Sequence, residues 1–186
     1  ASDRASWLLD ITTDLGVPCL AAVSVDATGR GLACGLAARL APEQAARAAI
    51  LEMCQMELAL QVVEAKRRQR GEQAFNEVDR KHVGRAASID AGCCDLLHPV
   101  GCPNRELGQT ADGPKGELAA LRDAFARSHF EAALVDLTRP EIGIPVVHAV
   151  APTLQIMPGD WKTQRLQRVE ETTGGGRRWT DGVALF

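Results

Sequence analysis

The amino-acid sequence predicts an α+β domain in which a mixed, largely antiparallel sheet is backed by helices. Three observations carry that expectation. Two apolar runs, 17–25 and 31–38, are separated by the turn sequence Asp26-Ala27-Thr28-Gly29. Pro42 suits the first position of a long helix reaching about Arg70, where its missing N–H is no loss. Two further runs rich in Val and Ile, 132–137 and 145–151, are too short for buried helices and read as strands.

Taken in order, residues 7–16 are expected to form a short amphipathic helix, with Trp7, Leu8, Ile11 and Leu15 on one side and Gly16 as its stop. Val17 to Val25 is a buried strand, and the small-residue run Gly31 to Ala38 is its antiparallel neighbour. After the helix from Pro42, a further helix is expected over Glu72 to Arg85. The stretch from Ser88 to Gly116, rich in Gly, Pro, Cys and polar residues, reads as a long loop, with Asp112-Gly113-Pro114-Lys115-Gly116 a turn before a helix over Glu117 to His129. The strands 132–137 and 145–151 are expected in the same sheet as 18–25 and 31–38. From Met157 the chain is polar, and Gly174-Gly175-Gly176 marks a break. No internal repeat is present.

Composition removes several classes of function. With 186 residues, 46% hydrophobic and 24% charged, the chain can bury a sizeable core. A net charge of -3 excludes a broad electrostatic grip on nucleic acid, and the run Lys66-Arg67-Arg68-Gln69-Arg70 reads as a solvated helix end. No stretch approaches the ~20 apolar residues of a membrane span. The start, Ala1-Ser2-Asp3-Arg4, carries neither Met nor a signal-peptide core, so a fragment of a longer cytoplasmic protein is expected. The six cysteines are too sparse for a disulfide scaffold. Cys93, Cys94, His98 and Cys102 fit no structural zinc spacing well, and loop packing or a disulfide is the preferred reading there.

The long helix carries two residues out of place. On a wheel of about 100° per residue, Arg47, Glu57 and Gln61 mark the wet arc. Glu52 and Gln55 fall opposite, beside Ala45, Ala48, Leu51, Met56 and Ala59. Three apart, their side chains converge on one spot. One reading is a structural ion pair for Glu52 with Gln55 capping a loop. The other is a cleft that holds a divalent cation, for which such oxygen ligands suit Mg²⁺.

Here the sequence resembles a known family. Cys34 to Pro42, followed by Ala45-Ala46-Arg47-Ala48-Ala49-Ile50-Leu51-Glu52-Met53-Cys54-Gln55, is similar to the small-residue strand and motif helix of YcaO proteins. Val135-Asp136-Leu137-Thr138-Arg139-Pro140-Glu141-Ile142-Gly143-Ile144-Pro145-Val146-Val147 resembles that family's DLTRPDIGIPVV segment, the specific part of the likeness. Ala151-Pro152-Thr153-Leu154 and Thr163-Gln164-Arg165-Leu166 are weaker echoes. The likeness implies that 1–166 is the C-terminal part of a two-part YcaO-type domain and that 167–186 is a Gly-rich tail.

It further implies binding of ATP and Mg²⁺, with phosphorylation of a backbone amide oxygen leading to azoline or thioamide formation in a ribosomally made precursor peptide. Glu52 would ligate Mg²⁺, and Gln55 would support the same metal or phosphate site. Where the family places an arginine and, seven positions later, a glutamate, this sequence has His148 and Gln155; these complete the cofactor-site set. No segment matches the family's first-half motif, so a missing N-terminal half or partner subunit is expected, and a homodimer is an open assembly. The alternative is a catalytically inactive YcaO-like scaffold that binds a peptide or partner subunit.

Overall fold

Alternation, rather than helical spacing, governs the first segment. In this computed structural model, which describes residues 3–98, 113–155 and 162–174, Ala5–Asp10 forms strand β1. It runs antiparallel to β2 (Cys19–Val25), with Ala5 opposite Val25 and Asp10 opposite Leu20. The helix expected over 7–16 is thus overturned. Trp7 and Leu9 turn inward while Leu8 and Asp10 face out, a period of two that a few apolar residues can disguise as a helical stripe. The Trp7 indole N–H donates to the Leu97 carbonyl at 2.8 Å, so the ring is held as well as packed.

Strand β3 (Ala33–Ala38) pairs antiparallel with the other side of β2, giving the order β1-β2-β3. The expectation that 132–137 and 145–151 join this sheet is overturned. They form β4 (Ala133–Asp136) and β5 (Val147–Val150), antiparallel to each other in a two-stranded sheet of their own. The chain is α+β with antiparallel sheets, as expected; the single four-stranded sheet is not what forms.

Central β2 is covered on both faces. Ala21, Val23 and Val25 join Leu9, Leu32, Ile89 and Leu97 in one buried layer. This layer is closed by the short 3-10 turns Ala91–Cys93 and Asp95–Leu97, inside the stretch expected to be a loop. On the other face Ala22, Ala33 and Ala37 meet Ala49 and Met53 of helix α1 (Pro42–Arg70). Helix α1 starts at Pro42, as the sequence predicts, and ends in Arg67, Arg68 and Arg70, cations that suit the negative end of the helix dipole. Gly71, at φ 76°, terminates it and donates to the Arg67 carbonyl.

The next helix begins later than expected. Glu72–Ala74 is a 3-10 turn, Phe75 is extended and buried beneath the Arg67 guanidinium at 5.7 Å, and Asn76 caps α2 (Glu77–Ser88). Asn76 and Asp79 form a reciprocal capping box.

A second compact unit holds the described residues from Gly113 onward. Helix α3 (Gly113–Arg127) starts earlier than expected, because Gly113-Pro114-Lys115-Gly116 is its first turn rather than a preceding one. Pro114 suits such a first turn. Phe125 and Phe130 meet edge to face at 6.1 Å, and the Arg165 guanidinium lies 5.1 Å from the Phe130 centroid. Arg165 belongs to α4 (Gln164–Thr173), an element for which the polar tail gave no signal. Thr163 caps it by accepting the Leu166 N–H at 3.2 Å.

The contact between β3 and α1 is made backbone on backbone. A Cβ at Gly35 would lie 2.2 Å from the Ala49 carbonyl oxygen, 2.4 Å from the Met53 nitrogen and 2.7 Å from the Glu52 Cβ. None of those atoms can swing away. Gly35→Ala is therefore expected to lower the unfolding free energy by about 1–3 kcal/mol, as overpacking does. Gly84, within α2 and with nothing inside 4 Å of its Cβ position, is the control: Gly84→Ala should stabilise by about 0.5–1 kcal/mol. Urea denaturation of both variants measures the contrast, and equal effects would show that no tight contact exists at Gly35.

Acid should weaken the α1–α2 junction. Asp79 accepts hydrogen bonds from the Lys66 ammonium and from the Asn76 backbone N–H, which hold its carboxyl below the ordinary value of 3.8. With the folded pKa depressed, the stability it contributes is present above the unfolded value and is lost as pH falls through the folded one. Asp79→Asn should thus destabilise at neutral pH and lose its penalty progressively below about pH 4. Urea midpoints across that range check it; a penalty that does not change with pH would exclude the electrostatic origin.

Candidate cofactor site

Helix α1 presents to β3 a stripe different from the one the wheel assigns. Ala45, Ala49, Met53 and Val63 are buried, and Ala48, Met56 and Leu60 pack beside them. Leu51, assigned inward, is 56% exposed. Glu57, assigned to the wet arc with Arg47 and Gln61, is half-buried and bonded to Arg4 at 3.0 Å. The small residues that leave room for a close approach are taken up by the β3 backbone at Gly35.

Glu52 and Gln55 are exposed, at the margin of this stripe rather than on the core side. The Glu52 Oε2 accepts the Leu36 backbone N–H at 2.8 Å. Glu52 has no cationic partner among the described residues, so the structural ion pair does not form within them. Gln55, one helical turn on, lies on the same side of the helix as Glu52.

The DLTRPEIGIPVV segment is the β4–β5 hairpin, and its unusual residues are there to make the turn. Asp136 Oδ1 accepts the Thr138 N–H at 2.9 Å, Thr138 Oγ1 accepts the Val146 N–H at 3.1 Å, and Leu137 N–H donates to the Val146 carbonyl at 2.8 Å. Hydrogen bonding from Thr138, side chain first and then backbone, keeps the Asp136 carboxyl below its ordinary value. The Arg139 carbonyl accepts from Ile142 and Gly143, and Gly143 sits at φ 70°, the left-handed region that favours glycine.

His148 lies on β5 directly opposite Val135 and is exposed. Gln155 is half-buried, and its Oε1 accepts the Thr163 N–H at 3.0 Å, next to the cap of α4. Glu52 and Gln55 are thus close together on α1, while His148 and Gln155 stand on separate elements of the second unit. Among the described residues no group of three His, Cys, Asp or Glu side chains is close enough to hold a metal. Cys94 is buried and Cys93 exposed; Cys102, and with it the question of a zinc or disulfide arrangement, lies outside the described residues.

Could Mg²⁺ fit here? This ion prefers hard oxygen donors and commonly takes only one or two carboxylates, filling its remaining positions with water and substrate phosphates. An exposed carboxylate with one oxygen still available, beside an amide oxygen on the same side of the helix, fits that pattern. It fits a cation shared with phosphates, not one caged by protein.

One feature escaped sequence reasoning. On the opposite flank of α1 from Glu52, a cavity of about 600 Å³ is lined by Arg4, Arg30, Glu57, Gln61, Glu64 and Arg67, among others. Arg4 is its organiser: Nε donates to Ser24 Oγ at 2.8 Å and to Glu57, and Nη2 donates to the carbonyls of Ser24 at 3.0 Å and Gly31 at 2.7 Å. An isolated Arg before a strand gives no pattern from which such a network could be read.

Comparison with known proteins bears on this arrangement. The model of the YcaO cyclodehydratase family, described as ATP- and Mg²⁺-binding, matches residues 1–155. Solved structures are similar as well, two heterocyclases among them. A heterocyclase in complex with substrate and cofactor is 26% identical with a TM-score of 0.62, over 82% of this chain and 20% of that one. The heterocyclase TruD is 20% identical with a TM-score of 0.65, over 91% of this chain and 23% of that one, a likeness of fold. The chain therefore spans about a fifth of the length of either heterocyclase. No curated protein matches it. No helix among the described residues is long and apolar enough to cross a membrane. The matched range contains the β3–α1 unit, with Glu52 and Gln55, and the DLTRPEIGIPVV hairpin, and on that match the chain belongs to the YcaO cyclodehydratase family.

Proposed function

We propose that this chain is the C-terminal part of an ATP- and Mg²⁺-dependent enzyme that activates a backbone amide of a ribosomally made precursor peptide for azoline or thioamide formation. The observation that carries the proposal is Glu52: an exposed carboxylate with no cationic partner among the described residues and one oxygen accepting the Leu36 N–H, inside the family's matched range. Amide oxygen is a poor leaving group until it carries phosphate. ATP·Mg²⁺ bound beside Glu52 and Gln55 would supply that phosphoryl group, so that the oxygen could depart as phosphate when a Cys, Ser or Thr side chain, or an external sulfur donor, takes its place at the carbon.

Within this reading Glu52 holds Mg²⁺ and Gln55 supports the same metal or the phosphates, with His148 and Gln155 completing the nucleotide surround. Catalysis of phosphoryl transfer is mainly positioning and charge neutralisation. One carboxylate and a neutral amide supply too little of either for a triphosphate. The remaining ligands come from a first half of the domain, upstream or on a partner subunit. The inactive-scaffold reading draws on one observation: Gln155, standing where the family has a glutamate, cannot offer an anionic ligand and already accepts the Thr163 N–H.

The 186-residue chain alone is expected to bind ATP·Mg²⁺ only in the millimolar range, about -4 kcal/mol. Supplying the first half should tighten binding by orders of magnitude, and Glu52→Ala should abolish that gain. Calorimetric titration of ATP·Mg²⁺ into the chain and into the completed protein measures both. Micromolar binding by the chain alone, indifferent to Glu52→Ala, would place the nucleotide elsewhere. Tight binding without phosphate release in the presence of peptide would favour the scaffold.

A further inference from the structure

Strand β3 is the free edge of its sheet, so alternate backbone N–H groups along it point away from β2. Two of them meet side chains of α1. The Cys34 N–H reaches the Met56 Sδ at 3.3 Å, and the Leu36 N–H reaches the Glu52 Oε2 at 2.8 Å. The match is geometric. Residues two apart on a strand are separated by about 6.8 Å, and residues four apart on a helix by about 6 Å of rise. Helix and strand run in opposite senses, and Gly35 between the two contacts lets their backbones touch.

Covering an edge N–H does not call for a charge. Met56 does it at residue 34 with a neutral thioether. At residue 36 the acceptor is instead a carboxylate, which has about four lone-pair directions and spends only one of them. Glu52 is exposed and has no cationic partner among the described residues, so its charge and its second oxygen are left over. We infer that the outward Leu36 N–H at the edge of β3 is a positioning group, which fixes Glu52 through Oε2 so that Oε1 is presented to the cation. The inference rests on the reading of Glu52 as the Mg²⁺ ligand and adds the group that aims it. Partners of this kind, bonded to a ligand rather than to the metal, typically change metal affinity by about 10–100-fold.

Mn²⁺ serves as the probe, since it takes the same oxygen ligands and can be counted by its electron spin resonance. Three forms of the protein, each completed with its first half, are titrated with Mn²⁺ in the presence of ATP, while the backbone amides of the isotope-labelled chain are followed by NMR. In the wild type, Mn²⁺ should broaden the Leu36 amide signal. Glu52→Gln retains an acceptor for Leu36 but not the charge, so the metal-free Leu36 signal should stay near its wild-type position while Mn²⁺ binding is lost. Replacing the Leu36 amide by an ester removes the donor and weakens the Gly35 carbonyl as an acceptor towards β2, and Mn²⁺ affinity should fall by about 10–100-fold with the amide spectrum unchanged away from the Gly35–Ala22 pair. An ester chain that binds Mn²⁺ as the wild type does would overturn the positioning role and leave the ligand reading standing. Unchanged Mn²⁺ binding in Glu52→Gln would bring down both. A large displacement of the metal-free Leu36 signal in Glu52→Gln, with the fold intact, would show that the contact depends on charge and would also refute the inference.

Discussion

Everything near the candidate site follows from one steric constraint, the absence of a side chain at residue 35. Helix α1 rests on β3 so closely that a single methyl group there would overlap the Ala49 carbonyl. Ala33 and Ala37 on the strand and Ala45 and Ala49 on the helix keep the rest of the seam equally thin. A helix laid this close brings its flanking side chains to the strand edge, and Glu52 and Met56 can then reach backbone N–H groups. With ordinary apolar side chains between them, helix and strand would stand near the usual ~10 Å of packed layers, and a glutamate would fall short of the edge. The position of the carboxylate is thus a product of packing.

Arg4 secures the opposite flank by different means. It links the segment before β1 to β2 at Ser24, to the turn at Gly31 and to α1 at Glu57. Ser24 is fully buried, so its hydroxyl would lose the guanidinium as its hydrogen-bond partner, and leaving a buried group of this kind unsatisfied costs about 1–3 kcal/mol. That desolvation argument outweighs the Arg4–Glu57 ion pair as a reason for the network, because partly exposed pairs contribute little on their own. One flank of α1 is therefore fixed by satisfied polar groups and the other by the Gly35 seam, leaving the helix little freedom to rotate.

Different parts of the molecule were legible in the sequence to different degrees, for physical reasons. The β2–β3 hairpin and the start of α1 were readable because Asp26-Ala27-Thr28-Gly29 and Pro42 act locally. Strand β1 was not, since Trp7, Leu8 and Leu9 satisfy helical and strand periods about equally over six residues. The face of α1 was misread because apolar residues lie on both sides of it: Ala49 and Met53 are buried, while Leu51, Leu58 and Val62 are 56%, 60% and 55% exposed. A helix with apolar and polar residues mixed on all sides has little periodic signal from which to choose a core side. The DLTRPEIGIPVV segment was legible as a motif but not as a structure, its Asp, Thr, Arg and Gly being committed to a hairpin turn.

Charge accounting sets how much of the chemistry this chain can hold. A triphosphate with Mg²⁺ needs anionic groups on the metal and cations on the phosphates, held still relative to each other. On the reading proposed above, α1 supplies the first requirement once, through a carboxylate whose orientation is set by the strand edge. Of the arginines packed on α1, Arg4 and Arg67 belong to the other flank and pair with Glu57, Glu64 and Glu72, while the Arg85 Nη2 lies 3.0 Å from Met56 Sδ. Redirecting Arg4 would leave the buried Ser24 hydroxyl and the half-buried Glu57 without it. The division of labour in the proposed enzyme then follows from packing as well as from sequence. The seam at Gly35 prepares one metal ligand, and on the proposed reading the remaining ligands and phosphate-binding cations come with the first half of the domain.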